Sequence, residues 1–165
     1  EFCNTQFGNN NSYCQDNITS WLDWSRMEKY QEIHDFFRYM IAFRKKYAIL
    51  RKTTEPAVCK LPEISIHNGF PWNGGTDSNS HLIGIMYAGR DEKNIRDDII
   101  FYCMNAYWEP LIMQLPELPN GMEWKVCVNT SVEYADGKDF ETMTEFYYKK
   151  TLNVPALTVM ILIAE

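Results

Sequence analysis

The chain has 165 residues, of which 45% are hydrophobic and 15% aromatic, so it can bury the core of one ordinary domain. Its 16 Lys and Arg against 22 Asp and Glu give a net charge of −6, which argues against nucleic acid and anionic membrane surfaces as partners, because both attract clustered positive charge. No apolar run reaches the roughly 18 residues that a membrane-spanning helix needs.

The first 24 residues are predicted to be a loop, because the stretch from Gly8 to Asn17 is rich in Asn, Asp and Gln. These side chains bond to nearby backbone groups and favour turns. They also place planar amides beside aromatic faces, which suits either a polyhydroxylated ligand or a loop pinned to its own backbone. Both interpretations stay open. Trp21 and Trp24 are predicted to be packing residues. The candidate ligand-binding residues are Asn9, Asn10, Asn11, Tyr13 and Asp16.

A long helix is predicted from about residue 26 to 46. Ser25 and Glu28 have the spacing of a capping box, in which each side chain bonds to the other residue's backbone N–H. A face this apolar needs a partner, and we expect the helix to pack on the predicted β-sandwich or on a second copy. The apolar residues that recur at the helical period are Tyr30, Ile33, Phe37, Met40, Ile41 and Tyr47.

Residues 53–62, which contain two prolines, are predicted to be a linker, and short apolar runs separated by turns follow it. Ile99 to Asn105 is apolar on both faces and is predicted to be a central strand. Trp124, Val126 and Val128 are expected to face one way. This spacing of strands predicts a mainly β protein with one long N-terminal helix and an antiparallel β-sandwich. The predicted strands are 64–66, 82–87, 99–105, 111–115, 124–129, 142–148 and 156–164.

Five cysteines, an odd number without C-x-x-C spacing, predict reduced thiols rather than a disulfide framework. Cys103 and Cys127 lie within apolar strand patterns and are expected to be small core residues. A chain with reduced thiols fits a cytoplasmic location.

Neither a catalytic carboxylate pair nor a metal site is expected. Asp97 and Asp98 are adjacent, so on a strand they point to opposite faces, and a turn at Gly137 separates Asp136 from Asp139. The Gly74-Gly75 pair lacks the pattern of a phosphate-binding loop, so no cofactor is predicted. Three histidines lack the spacing of metal ligands: His34, His67 and His81.

The stretch Gly-Asn-Asn-Asn-Ser-Tyr-Cys-Gln-Asp-Asn at residues 8–17, followed by Trp-x-Asp-Trp at 21–24, resembles a signature of the glycogen-debranching and isoamylase branch of the alpha-amylase family, family 13 of the glycoside hydrolases. Residues 104–110 resemble the family's Asn-Ala-x-Trp-Glu-Pro pattern. Residues 154–156, Val-Pro-Ala, resemble its closing segment. The match is looser at His67, where the family often has Trp-His-Gly. Glu-Phe at 1–2 and Thr-Gln at 5–6 fit the residues that precede the Asn run in the family, although the family's Gly-Asp is missing.

The resemblance implies three parts and a longer parent enzyme. Residues 1–52 would be the remnant of a catalytic (β/α)8 barrel, with the loop after strand eight and the last helix. Residues 53–62 would be a linker, and 63–165 a C-terminal antiparallel β-sandwich. Because the chain begins inside a family motif, we expect a piece of a longer protein.

The family cleaves α-1,6 branch linkages by a retaining mechanism, which needs a nucleophile and an acid/base about 5 Å apart. In the family these carboxylates, and a third, lie on barrel strands that would precede Glu1. The resemblance therefore implies that no residue here is catalytic, that the piece is inactive, and that its sandwich braces the barrel. Alternatives that stay open are a pullulanase or branching enzyme, an interaction domain without sugar chemistry, and an α-glucan-binding module whose candidate stacking residues are Trp72, Tyr107 and Trp108. For Trp108, which follows the end of a predicted strand, core packing is the favoured interpretation.

Overall fold

A computed structural model describes residues 1–51, 54–74, 80–90, 96–119, 121–132, 145–147 and 150–165. These residues form two units, 1–45 and 46–165. The predicted loop at 1–24 is confirmed, and the helices α1 (Ser25–Lys29) and α2 (Gln31–Lys46) follow it. Neither helix offers the length of apolar segment that crossing a bilayer requires, and the rest of the described chain adds no other candidate.

The predicted single helix is interrupted at Tyr30, whose φ of −121° and ψ of 40° lie outside the helical region. The predicted capping box is wrong. Ser25 lies inside the first turn, and its hydroxyl donates to Asp23 Oδ1 at 2.6 Å. The same carboxylate oxygen accepts the backbone N–H of Ser25 at 3.1 Å. The Asp23 carboxylate therefore accepts the Ser25 backbone N–H, which Glu28 would accept in a capping box, and it also binds the Ser25 hydroxyl.

The second unit is mainly antiparallel β and is consistent with a β-sandwich. A six-stranded sheet has the order β1-β2-β3-β8-β5-β6, and β4 pairs with β7 in a two-stranded sheet. The predicted central strand is confirmed, since β3 lies between β2 and β8. The strands are β1 (Ile64–His67), β2 (Leu82–Gly89), β3 (Asp98–Asn105), β4 (Leu111–Gln114), β5 (Trp124–Asn129), β6 (Glu145–Tyr147), β7 (Thr151–Val154) and β8 (Thr158–Ala164).

Of the predicted strand 142–148, only 145–147 falls within the described residues, where it forms β6. Asp136, Gly137 and Asp139, considered as a carboxylate pair and its turn, lie outside the described residues, as does Gly75.

The core lies where the two sheets share buried side chains. Phe101 of β3 is joined there by Leu162 of β8, its register partner, and by Met113 of β4 and Leu152 of β7. Burying a side chain of this size stabilises the fold by roughly 1.5–3 kcal/mol. The predicted core position of Cys103 is confirmed in the same cluster.

The predicted alternation in β5 is wrong beyond Val126. The register against β8 shifts between Val126 and Val128, and both Cys127 and Val128 are buried. An extra residue in one strand breaks the strict two-residue period and turns consecutive side chains inward. Cys127 is nevertheless buried, as expected, and burial raises the pKa of its thiol to about 11.

Asp97 anchors the segment that precedes β1. Its carboxylate accepts the backbone N–H groups of Val58 at 3.0 Å and Cys59 at 2.9 Å, and it pairs with Arg90 Nε at 3.2 Å. Burial alone would raise the pKa of Asp97, but these hydrogen bonds and the Arg90 charge hold it below its ordinary value. The side chain is therefore occupied in holding two segments of the chain together.

Candidate functional site

The candidate site is the Asn-rich loop of residues 8–17, which begins in a tight turn. The N–H of Asn9 donates to the carbonyl of Gln6 at 3.0 Å. Between them, Phe7 has a φ of 53° and Gly8 a φ of 85°. Positive φ at both central residues is the pattern of a type I′ turn, for which glycine is suited because it has no Cβ.

Two of the candidate side chains hold the loop together. Asn9 Oδ1 accepts the N–H of Asn11 at 2.9 Å, and Asn9 Nδ2 donates to Gln15 Oε1 at 3.2 Å. Asn11 Oδ1 in turn accepts the N–H of Tyr13 at 3.1 Å, while Gln15 Nε2 donates to the carbonyl of Asn11 at 3.3 Å. These are the local side-chain to backbone bonds that Asn favours in turns.

Asp16 also has a partner within the loop region, since its Oδ1 accepts the indole N–H of Trp21 at 2.7 Å. Trp24 stacks on Phe2 with a centroid distance of 5.1 Å and an interplanar angle of 22°. Trp24 therefore packs on Phe2, while Trp21 is held by a hydrogen bond, and both predicted packing residues remain exposed, at 61% and 56%.

Tyr13 and Asn10 differ from the other candidates because, among the described residues, their side chains make none of the hydrogen bonds that hold the loop. The Tyr13 side chain is 83% exposed, and Asn10 is exposed as well. A phenol and an amide held out from a pinned loop can donate and accept hydrogen bonds with a neutral ligand. The loop therefore combines a hydrogen-bonded frame with two outward groups.

Within the described residues, no group of three or more His, Cys, Asp or Glu side chains is placed to hold an ion.

The three aromatic residues considered for sugar stacking are not all brought together. Trp72 lies against the ring of His67 at 5.1 Å. Tyr107 and Trp108 are neighbours, with centroids 4.1 Å apart, and His81 stacks on Tyr107 at 4.9 Å and 12°. No sequence pattern indicated His81, because it is the register pairing Leu82 with Asn105 that brings His81 to this place.

Asn105 is a second residue whose role the sequence did not predict. It is 3% exposed, and its Nδ2 donates to the carbonyls of Glu109, Val154 and Pro155 at 2.9, 3.1 and 2.9 Å. Its Oδ1 accepts the N–H of Tyr107 at 2.9 Å. A buried amide satisfied on both sides fixes the loop between β3 and β4.

His67 is buried as a neutral imidazole. Its Nδ1 accepts the N–H of Trp72 at 2.9 Å, so the proton lies on Nε2, which is 2.8 Å from Ser65 Oγ. Burial lowers the pKa of His67 below its ordinary value of 6.5. A second proton would have to enter on Nδ1, where the Trp72 N–H already points.

We therefore expect the free energy of unfolding to fall as the pH drops below about 6.5, because His67 then binds a proton in the unfolded chain but not in the folded one. The loss is at most about 1.4 kcal/mol per pH unit and ends at the folded pKa. Urea unfolding between pH 7.5 and 5 measures it. His67→Gln, which does not titrate, should flatten this slope. An unchanged slope in the variant would contradict the assignment.

No protein-family profile matches the chain. It is 27% identical to the glycogen operon protein GlgX homolog of Mycobacterium bovis, over 98% of this chain and 24% of that protein. It is 28% identical to isoamylase 1, chloroplastic, of Oryza sativa subsp. japonica, over 79% of this chain and 15% of that protein. It is 26% identical to the isoamylase of Pseudomonas amyloderamosa, over 83% of this chain and 17% of that protein.

These similarities confirm the resemblance to the glycogen-debranching and isoamylase group, at 26–28% identity. The chain spans about a quarter or less of the length of these relatives, as their coverage of 24%, 15% and 17% shows.

Proposed function

We propose that this chain is part of a longer debranching glycoside hydrolase, which cleaves α-1,6-glucosidic branch linkages in glycogen-like α-glucans by a retaining mechanism. The observation that carries the proposal is similarity along 98% of the chain to a protein named as a GlgX homolog. Similarity to isoamylases over 79% and 83% of the chain supports the same reaction class.

In this proposal residues 1–52 contribute a loop and the last helix to a (β/α)8 barrel. Residues 53–62 are a linker, and residues 63–165 form a β-sandwich that braces the barrel. The separate compactness of residues 1–45 and 46–165 supports a division close to this one. The catalytic carboxylates belong to other parts of the enzyme, and the location is cytoplasmic.

Release of linear chains from glycogen tests the function, with the 165-residue chain and the longer enzyme assayed side by side. We expect release by the longer enzyme and none by the chain alone, because in this proposal the catalytic carboxylates belong to other parts of the enzyme. A linear α-1,4 oligosaccharide, which has no branch, serves as the control substrate. Branch cleavage by the chain alone would place the chemistry within these residues and would contradict the proposal.

The substrate-binding residues proposed here are those of the loop, with a division of roles that follows its hydrogen bonds. Asn9, Asn11 and Asp16 hold the loop in shape, because their side chains are bonded to other loop groups. Asn10 and Tyr13 contact the glucan, because both are exposed and, among the described residues, neither side chain takes part in the hydrogen bonds of the loop.

Tyr13→Ala in the longer enzyme is expected to raise KM for glycogen about tenfold, which corresponds to the loss of roughly 1.4 kcal/mol of binding, with kcat less affected. Ile18→Ala is the matched control, because Ile18 is also exposed in the N-terminal loop but has no hydrogen-bonding side chain. Steady-state kinetics measure both variants. Equal effects of the two substitutions would contradict a role for Tyr13.

The apolar face of α2 is the surface through which we propose that the isolated chain self-associates. Ile33, Phe37 and Ile41 follow one another at a spacing of four residues and are exposed. Apolar patches of this kind mark contact surfaces in soluble proteins. We expect the sedimentation coefficient of the chain to rise with protein concentration. In Phe37→Glu the coefficient should stay constant, because the charge disrupts the apolar face.

A further inference from the structure

Three aromatic rings lie against one another at one end of the six-stranded sheet. His81 and Tyr107 lie nearly parallel, with an interplanar angle of 12° and centroids 4.9 Å apart. Trp108 lies 4.1 Å from Tyr107 at 31°. Trp108 is nevertheless 70% exposed, so most of its indole surface faces water.

This exposure separates Trp108 from a packing residue. Trp124, in the core of the same unit, is 5% exposed, and its indole N–H donates to the carbonyl of Pro116 at 3.0 Å. Trp108 loses little surface to its neighbours, so packing explains little of its presence. An exposed tryptophan with an apolar ring and a polar N–H is typical of binding surfaces, which suits Trp108 to a ligand that covers its ring.

The backbone around the ring stack is fixed before any ligand arrives. The N–H of Ala106 donates to the carbonyl of His81 at 2.8 Å, and the N–H of Leu157 donates to that of Tyr107 at 3.0 Å. Asn105 binds both ends of the same loop through its side chain. A preorganised surface loses little conformational entropy on binding, so a modest contact area can still give measurable affinity.

An open cleft of about 430 Å³ adjoins the stack. This volume lies within the roughly 300–1,000 Å³ of small-molecule sites. Its lining contains no Lys or Arg among the described residues, so it has no cation to hold an anionic ligand. Hydroxyl, imidazole, phenol and aliphatic groups meet in it instead. The side chains that line it include those of Ser80, His81, Tyr107, Leu111 and Ile112.

We propose that this cleft, with Trp108 beside it, is a second binding site for an α-1,4-linked glucan chain, distinct from the Asn-rich loop. A glucose ring has C–H groups on its faces and hydroxyls at its edge. The faces can stack on Trp108 and Tyr107, and the edge can bond to polar groups of the cleft. The choice of an α-glucan over other neutral sugars rests on the proposed function. The site would hold one chain of the polymer on the unit formed by residues 46–165.

Binding of maltoheptaose to the 165-residue chain tests the site, by titration calorimetry. We expect saturable binding, with a dissociation constant that rises at least tenfold in Trp108→Ala and less in Trp108→Phe, which keeps an aromatic ring. Trp72→Ala is the matched control, because Trp72 is an exposed tryptophan of the same unit whose ring packs on His67, whereas the ring of Trp108 packs on Tyr107, which lines the cleft. An equal loss in Trp72→Ala, or unchanged binding by Trp108→Ala, would overturn the assignment.

The indole N–H resonances of the five tryptophans give a second readout that does not depend on a variant's affinity. The Trp108 signal, assigned by its absence in Trp108→Phe, should shift on addition of maltoheptaose and stay fixed with the β-linked cellohexaose. A fixed Trp108 signal while another tryptophan shifts would overturn the site.

The two proposals fail separately. No binding by the chain together with debranching by the longer enzyme would reject the second site and leave the function standing. Binding at Trp108 together with no debranching would reject the function and leave a glucan-binding module.

Discussion

Asn105→Asp is expected to destabilise the unit of residues 46–165 by roughly 3–5 kcal/mol, because the substitution buries a charge of which one oxygen faces three carbonyl oxygens and only the other keeps a donor. The amide nitrogen of Asn105 now donates to three carbonyl oxygens. A carboxylate oxygen in the same place would face three acceptors and no donor. Urea unfolding at pH 7 followed by circular dichroism measures the difference.

Asn153→Asp is the control for this substitution, because Asn153 is exposed on β7 and a surface charge is expected to change stability by less than about 0.5 kcal/mol. Asn105→Ala should fall between the two, since it leaves carbonyls unpaired but introduces no charge. If Asn105→Asp cost no more than Asn153→Asp, the loop would not depend on this side chain.

Phe101→Ala is expected to cost roughly 3–5 kcal/mol, the range for removing a buried aromatic ring. Phe101 is fully buried, with its ring edge-on to His67 at 5.5 Å and tilted to Trp124 at 5.8 Å. Gly84 makes room for it, because a Cβ at Gly84 would lie 2.5 Å from Phe101 Cζ. Equilibrium unfolding in urea measures the loss.

The same contact predicts that the two substitutions are not additive. Gly84→Ala alone should cost roughly 1–3 kcal/mol, because the new methyl group overpacks the core. In the Phe101→Ala background that methyl group enters the vacated space, so its cost should vanish or become a gain. A double-mutant cycle with simple additivity would contradict the close approach of Gly84 and Phe101.

Much of the sheet could be predicted because its strands are continuous apolar runs between turns. The central position of β3 followed from apolar residues on both faces of the strand, such as Ile100 and Phe101, which are both fully buried. The register shift in β5 could not be predicted, because a two-residue period carries no sign of an inserted residue. The break at Tyr30 was hidden for a similar reason, since its neighbours keep the helical spacing.

The candidate loop was predictable from composition, but the roles of its residues were not. Asn9, Asn10 and Asn11 are the same residue type, and only the backbone path decides which amides are bonded within the loop. The pairing of His81 with Tyr107 joins residues 26 positions apart, and it depends on the register of β2 against β3. Sequence spacing alone contains no such register.

The five thiols differ in exposure, so the cysteine of the candidate loop can be labelled selectively. Cys14, next to Tyr13, is the exposed cysteine, whereas Cys103 and Cys127 are buried. Burial raises the pKa of Cys103 to about 12 and that of Cys127 to about 11, so both stay protonated and unreactive near pH 7. A brief treatment with a thiol-directed fluorophore should therefore place the dye first at Cys14, where it would report ligand arrival at the loop.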